Sequence, residues 1–388
     1  MSSFMRRRFG IYVHYPYCTH HCPYCDFAVT TEAPPSDRRY TRAVLAELAL
    51  RSAAFGGSSG LVPASLYLGG GTPSLWAPGE IAEVIAAARG LGLPPDAEVT
   101  LEANPESCDP ERIAAWRAAG VNRVSVGVQS FDPAVLAKLG RRHGPEAAAR
   151  AIREVARSIP NVSTDLIFGA RRSTVEGARR DAERAVHEGA VHVSAYALTV
   201  DGESLAEETP LARLRRQGRL PLPTDDETLA QGRAIRAALR RAGLRRYEIS
   251  NFSQPGRESV HNALYWSADS YLGVGAGAWG CLRGSPTVRW GNLRDARAWM
   301  QAVEEGRIPT GDEDRIDAAA EANERLMLAL RTRTGAPLGW LGARQHDEAR
   351  RMVRARLAVL REAPDGERLV LTSKGMDLHS SIAGRLFE

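Results

Sequence analysis

Three cysteines fall close together near the amino terminus, in the run Cys18-Thr19-His20-His21-Cys22-Pro23-Tyr24-Cys25. Thiolate sulfur is a soft donor, and C-x-x-x-C-x-x-C on one short loop lets three thiolates wrap one face of a cubane iron–sulfur cluster. Each sulfur takes one iron, and the fourth iron is left without a protein ligand. The same residues allow a zinc tetrahedron completed by His20 or His21, although structural zinc sites more often bring their ligands in two separated pairs. The chain has 5 cysteines. Cys108 and Cys281 stand apart and read as core thiols, so the grouping suits metal ligation better than a disulfide framework.

Further polar and glycine-rich groups follow short β-type runs. Gly69-Gly70-Gly71-Thr72-Pro73 lacks the β-carbons that keep a ligand from the backbone, and its plainer reading is a tight turn before a helix. Glu102-Ala103-Asn104-Pro105 and Gly127-Val128-Gln129-Ser130-Phe131 each place a polar side chain at a strand end. Arg141, in Leu139-Gly140-Arg141-Arg142-His143, is a ligand cation or a surface charge. Asp165 sits inside a strand and is a ligand contact or a buried, hydrogen-bonded core residue. His261-Asn262-Ala263-Leu264-Tyr265-Trp266 sets a histidine beside two aromatics: imidazole can ligate a heme iron while aromatic faces pack on a porphyrin. Packing at a domain interface is the alternative for the same residues.

These groups need a scaffold, and the hydrophobic rhythm supplies one. Strands are expected at Gly10 to His14, Ser65 to Leu68, Glu98 to Glu102, Arg123 to Val128, Ser163 to Phe168 and His192 to Leu198, alternating with helices at Arg39 to Ala54, Ile81 to Arg89, Pro110 to Ala119, Pro145 to Arg157 and Val175 to Glu188. Such βα units imply a parallel sheet with right-handed crossovers. The expected fold is α/β, a partial (βα)6 TIM-like barrel followed by a smaller, mainly helical, winged-helix-like unit. In barrels of this kind the chemistry sits at the C-terminal ends of the strands, where the marked residues fall. A polar stretch from Thr199 to Thr224, a helix over Asp225 to Ala242 and Gly-rich loops from Gly273 to Gly280 come next. Domain boundaries are therefore expected to divide the chain into 1–224, 225–311 and 312–388, the last containing two helices and a hairpin-like piece at Arg368 to Thr372. Of 388 residues 44% are hydrophobic and 25% charged, as in a globular protein with a sizeable core. The net charge of +5 does not mark a nucleic-acid binder, because the arginines from Arg171 to Glu188 are interleaved with acids as on a solvated face; Arg233 to Arg246 is the main exception. The start, Met5-Arg6-Arg7-Arg8 and then Ile11-Tyr12-Val13-His14, lacks the apolar run of a leader or a membrane helix, so a cytoplasmic location is expected.

The cysteine loop after a first strand resembles the radical SAM superfamily. A wider set resembles its coproporphyrinogen-oxidase-like family over nearly the whole chain: Tyr12-Val13-His14-Tyr15-Pro16-Tyr17-Cys18, the glycine loop, Val126 to Phe131, Tyr247-Glu248-Ile249-Ser250-Asn251-Phe252 and His261 to Trp266. The resemblance implies a 4Fe–4S cluster on Cys18, Cys22 and Cys25 with S-adenosyl-L-methionine (SAM) at its open iron, where one electron can cleave the sulfonium bond to give a 5′-deoxyadenosyl radical. It also implies SAM contacts from Tyr12, Gly70, Gly71, Thr72, Glu102, Gln129, Arg141 and Asp165, the carboxylates accepting from hydroxyl and amino groups and Arg141 pairing with the carboxylate. The family includes an oxygen-independent coproporphyrinogen III oxidase, which decarboxylates two propionates, and a heme chaperone. The oxidase pattern has a further cysteine two residues beyond the third ligand, where this chain has Phe27 after Asp26. The H-N-x-x-Y-W run goes with the chaperone and implies heme contacts at His261, Tyr265 and Trp266. The expectation is a heme chaperone that delivers heme to an acceptor such as a respiratory cytochrome, without nucleic acid or an integral membrane segment. The oxidase and another radical SAM enzyme are the alternatives; peripheral membrane contact and the choice of monomer or homodimer stay open. Departures from the family pattern fall at Tyr15, at Ala170-Arg171-Arg172-Ser173 and at Trp279.

Overall fold

The computed structural model describes residues 7–32, 37–56, 60–200 and 208–387. Met5 and Arg6 of the basic start, and 201–207 of the polar stretch after Leu198, lie outside them. Six βα units come first: β1 (Arg8–Tyr15), α1 (Asp37–Gly56), β2 (Val62–Gly70), α2 (Pro78–Gly90), β3 (Glu98–Ala103), α3 (Pro110–Ala119), β4 (Arg123–Gln129), α4 (Pro133–Lys138), α5 (Pro145–Ser158), β5 (Val162–Phe168), α6 (Val175–His187) and β6 (His192–Ala197). The helices start where the sequence provides for it: Asp109 and Asp132 accept from first-turn amides ahead of Pro110 and Pro133, and such caps satisfy donors that the helix cannot.

Period-two patterning on the parallel strands decides what faces inward. Leu66, Leu68, Val99, Leu101, Val124, Val126, Val162, Leu166 and Val193 are buried in one large core, which the helices cover. The alternate positions are polar and turn to the barrel interior. Tyr67, Glu102, Ser125, Asp165, Ser194 and Tyr196 line a cavity at the upper end. Ser65, Glu98, Arg123, Ser163 and His192 are fully or almost fully buried below it.

The chain continues through α7 (Pro210–Arg216), α8 (Asp225–Arg241), β7 (Arg245–Arg246), β8 (Asn251–Ser253), α9 (Val260–Trp266), β9 (Ser270–Val274), β10 (Trp279–Leu282), β11 (Thr287–Asn292), α10 (Ala296–Glu304) and β12 (Thr310–Ile316). The Gly-rich loops expected from Gly273 to Gly280 are in fact the edges of two strands. β9 pairs in parallel with β1, and β10, β11 and β12 follow it antiparallel, so that one sheet runs β12-β11-β10-β9-β1-β2-β3-β4-β5-β6-β8-β7. The glycines serve close packing rather than a flexible loop: a Cβ on Gly273 would collide with the Trp279 carbonyl, and one on Gly280 with the Trp290 indole. The sheet therefore passes the expected boundary at 224, and the one at 312 falls inside β12.

A second hydrophobic core, with Leu326, Leu330, Leu341, Met352, Leu369 and Leu386, belongs to α11 (Ala318–Leu330), β13 (Ala336–Pro337), α12 (Ala343–Arg354), the β14–β15 hairpin (Ala358–Ala363 and Gly366–Leu371), α13 (Ser373–Asp377) and α14 (His379–Phe387). Ion pairs hold it to the barrel. Asp377 meets Arg236 at 2.8 Å and Arg246 at 3.4 Å, Glu324 meets Arg283 at 2.7 Å and also Arg289, and Arg331 meets buried Glu248 at 2.8 Å. Among the described residues no helix is long and apolar enough to cross a membrane.

Candidate metal centre and cofactor cavity

The cysteine loop leaves the end of β1 and is closed at its base by Cys18 N–H to Thr30 O (2.9 Å) and Thr30 N–H to Pro16 O (2.8 Å). The glycine loop after β2 lies directly on it. Gly71 N–H donates to Tyr15 O at 2.7 Å, Thr72 N–H donates to Tyr17 O at 3.0 Å, and the Thr72 hydroxyl reaches Cys18 Sγ at 3.4 Å. A Cβ on Gly71 would sit 2.9 Å from the Pro16 carbonyl, so glycine is required there. Cys18, Cys22 and Cys25 all line one cavity of about 360 Å³. Burial raises the Cys18 thiol and pushes that of Cys25 up to about 12, so these sulfurs become thiolates readily only when a cation replaces the proton.

The histidines of the loop meet backbone carbonyls: His20 Nε2 lies 3.0 Å from Gly140 O and 3.6 Å from Cys22 Sγ, and His21 Nε2 lies 3.1 Å from Cys25 O. Among the described residues no three His, Cys, Asp or Glu side chains converge on a single-ion geometry. Three thiols lining one cavity are the donor set of a cubane that leaves one iron open.

Strand ends build the rest of the wall. Gly70, Gly71, Thr72, Glu102, Gln129, Arg141 and Asp165 share the cavity with the cysteines. Glu102 accepts from Tyr67 Oη at 2.7 Å and from Gly70 N–H at 3.1 Å; burial nonetheless pushes its carboxyl up to about 7. Asp165 is pushed up by burial to about 6 against hydrogen bonds from Ser194 and Ser125. Arg141 is no surface charge: its Nη2 donates to Asn104 Oδ1 at 2.6 Å and to Gly127 O at 3.0 Å, and its Nη1 lies 3.6 Å from Cys22 Sγ. Gln129 ends β4 in the left-handed region, φ 66°, a conformation that costs a non-glycine residue about 1 kcal/mol or more.

Gln129 Oε1, Arg141 Nε and Asn251 Oδ1 are buried without a partner, and all three residues line the cavity. Unpaired buried polar atoms are expensive, and two carboxyls held up by burial favour a positively charged guest. An amino-acid sulfonium with hydroxyls to donate fits this wall.

Four expected contacts are not brought to the cavity. Tyr12 lies behind the wall, its hydroxyl 3.0 Å from His14 Nδ1 and its ring stacked on Tyr67. His261 is 1% exposed, with Nδ1 2.9 Å from Ser65 Oγ and Nε2 2.9 Å from Tyr265 Oη. Burial lowers its pKa to about 3. Tyr265 packs edge-on to His261 and Tyr271, and the Trp266 ring carries the Arg331 guanidinium 3.9 Å from its centroid. The imidazole has both nitrogens engaged inside the protein, and the indole lies on the seam with the second core. Of the motif, Asn262 lines the cavity. Phe27 stands on the cavity rim, 60% exposed. The departures avoid the centre: Tyr15 is buried against Trp76, Ala170 packs with Leu139 and Ile167, and Trp279 is half exposed on β10. Tyr67, Ser125, Ser194 and Tyr196 were missed by motif; a period-two count of polar residues on otherwise apolar strands marks them.

Residues 12–185 match the radical SAM superfamily. Over 383 residues the chain is 37% identical to "Heme chaperone HemW" of Mycobacterium tuberculosis, covering 97% of this chain and 94% of that one. It is 33% identical to "Heme chaperone HemW" of Escherichia coli, covering 84% of each, and 37% identical to "Radical S-adenosyl methionine domain-containing protein 1, mitochondrial" of Bos taurus, covering 85% of this chain and 74% of that one. Among solved structures, coproporphyrinogen III oxidase (HemN) of Escherichia coli superposes with a TM-score of 0.80 at 19% identity, over 98% of this chain and 90% of that one; this likeness establishes the fold.

Proposed function

Since this chain belongs to the HemW family of the radical SAM superfamily, we propose that it is a heme chaperone that carries a 4Fe–4S cluster and SAM in its barrel and hands heme to an acceptor protein. The observation that carries the proposal is the single cavity in which three thiols meet a wall of unsatisfied polar groups. On this reading Cys18, Cys22 and Cys25 hold the cluster, and Gly70, Gly71 and Thr72 offer backbone to the amino-acid end of the nucleotide. Glu102 and Asp165 accept from its ammonium or hydroxyl groups, and Arg141 faces its carboxylate with Gln129 beside it. A reduced cluster and SAM together supply one-electron cleavage of a carbon–sulfur bond.

What the chain itself contributes is orientation and exclusion of water. The closed loop base and the stacked glycine loop fix the thiols, and a cationic guest favours the ionised form of Glu102, which burial alone holds up to about 7. Phe27, where the oxidase pattern has another cysteine, supports chaperone over oxidase. Heme is the proposed cargo and a heme protein such as a cytochrome the proposed acceptor, met in the cytoplasm. Oxygen-free reconstitution followed by heme addition tests this in one sample. About four irons and four sulfides per chain, with a new Soret band, are expected; zinc in place of iron, or no heme band, would defeat it, as would SAM-dependent decarboxylation of coproporphyrinogen III.

A further inference from the structure

We propose that Arg294 is a positioning residue for the metal centre: by holding the carbonyl of the Asp26–Phe27 peptide it keeps the Phe27 amide on the Cys25 sulfur and so raises the reduction potential of the cluster. The proposal rests on the cofactor reading above and concerns how the third thiolate is held. Arg294 Nη2 donates to Asp26 O at 3.0 Å. That oxygen and the Phe27 N–H belong to one planar peptide, so a donor on the carbonyl fixes where the N–H points. The N–H faces the Cys25 sulfur and favours its thiolate, in the same relation by which short polar side chains take the amide two residues on. The Phe27 ring is exposed and does not supply the hold.

The sulfurs differ in what meets them. The Thr72 hydroxyl reaches Cys18 at 3.4 Å and Arg141 Nη1 reaches Cys22 at 3.6 Å, both from the cavity wall. Cys25 is met by the backbone of its own loop, and the brace behind that backbone comes from outside the cavity lining. Arg294 is itself fixed on both sides. Leu293 N–H donates to Pro309 O and Leu293 O accepts from Gly277 N–H, each at 2.9 Å, while Asp295 caps α10 by accepting from Ala298 N–H at 2.8 Å. The guanidinium thus reaches the cysteine loop from a rigid base. Reduction adds an electron to the cluster, and a nearby cation and a hydrogen bond to a cluster sulfur both stabilise the more negative state. A charged donor on the carbonyl also polarises the peptide and strengthens its N–H as a donor. Loss of Arg294 therefore makes the cluster harder to reduce.

The test uses the full chain with reconstituted cluster and compares wild type, Arg294→Met and Arg294→Lys. Iron and sulfide are counted first, and the midpoint potential is then read by redox titration followed by electron paramagnetic resonance of the reduced cluster. Arg294→Met is expected to keep its iron and sulfide and to show a reduction constant about tenfold smaller, a fall of about 59 mV for a one-electron couple. Arg294→Lys, which keeps a cationic donor, recovers most of that loss. In wild type grown on phenylalanine carrying heavy nitrogen, pulsed resonance of the reduced cluster should show a nitrogen coupling from Phe27, the phenylalanine that lines the cavity. Arg294→Met weakens that coupling. A reduction constant in Arg294→Met within about twofold of wild type overturns the proposal, as does a fall that Arg294→Lys does not reverse. If Arg294→Met takes up no cluster, the coupling in wild type decides: its presence supports the proposal and its absence overturns it. A wild type without iron and sulfide overturns the cofactor reading itself, and the proposal with it.

Discussion

The two ends of the barrel are built from the same residue types and behave in opposite ways. At the lower end His192 sits between Ser163 Oγ (2.7 Å) and Tyr247 Oη (2.8 Å), and His261 sits between Ser65 and Tyr265 in the same pattern. Glu98 holds the first turn of α9. At the upper end Gln129, Arg141 and Asn251 each keep a buried atom unpaired, and Glu102 and Asp165 are pushed towards neutrality. Histidine, carboxylate and arginine therefore identify nothing by themselves. What separates floor from site is whether their hydrogen bonds close within the protein.

The contrast can be broken most drastically at the thiols. Cys18→Ser should abolish cluster formation, read as loss of iron and acid-labile sulfide, while the far-ultraviolet circular dichroism stays that of the wild type. Next comes the cation: Arg141→Met should retain iron yet weaken SAM binding about ten- to hundredfold, measured by equilibrium dialysis. If the floor is purely structural, Glu98→Ala should instead lower stability to urea by about 3 kcal/mol, because two helix amides lose a buried acceptor and Arg123 loses the buried countercharge 3.9 Å away; unchanged stability would erase the distinction between the two ends. The smallest effect is in pH. Folded His261, at about 3, binds a proton less readily than the unfolded chain at about 6.5. As pH falls below 6.5 the unfolded state takes up that proton first, so the stabilisation present above 6.5 is lost progressively down to about 3. Cluster-free wild type should therefore lose about 1 kcal/mol more than His261→Gln between pH 6.5 and 5.5, in urea titrations at stepped pH.

Much of this was legible in the chain. The six strands and five crossover helices lie within a few residues of where their periodicity puts them, and the cysteine loop and glycine loop come together because both leave the same ends of adjacent parallel strands. Arg141 needed coordinates, since Arg142 beside it is exposed and nothing local says which of the two turns inward. The four strands after α9 were hidden because Gly273 and Gly280 read as loop punctuation, whereas they make room for a crossing backbone and an indole. The partners of His261 were hidden because motif spacing reports neighbours along a helix, not the Ser65 hydroxyl 196 residues away in sequence.

The seating of the glycine loop on the cysteine loop bears on how the protein matures. Gly71 and Thr72 fasten the carbonyls of Tyr15 and Tyr17, so the ligand loop acquires its shape only once β1 and β2 have paired across the whole length of α1. Unlike a zinc finger, whose metal organises a disordered peptide, this loop takes its backbone anchorage from the two paired strands and not from its thiols.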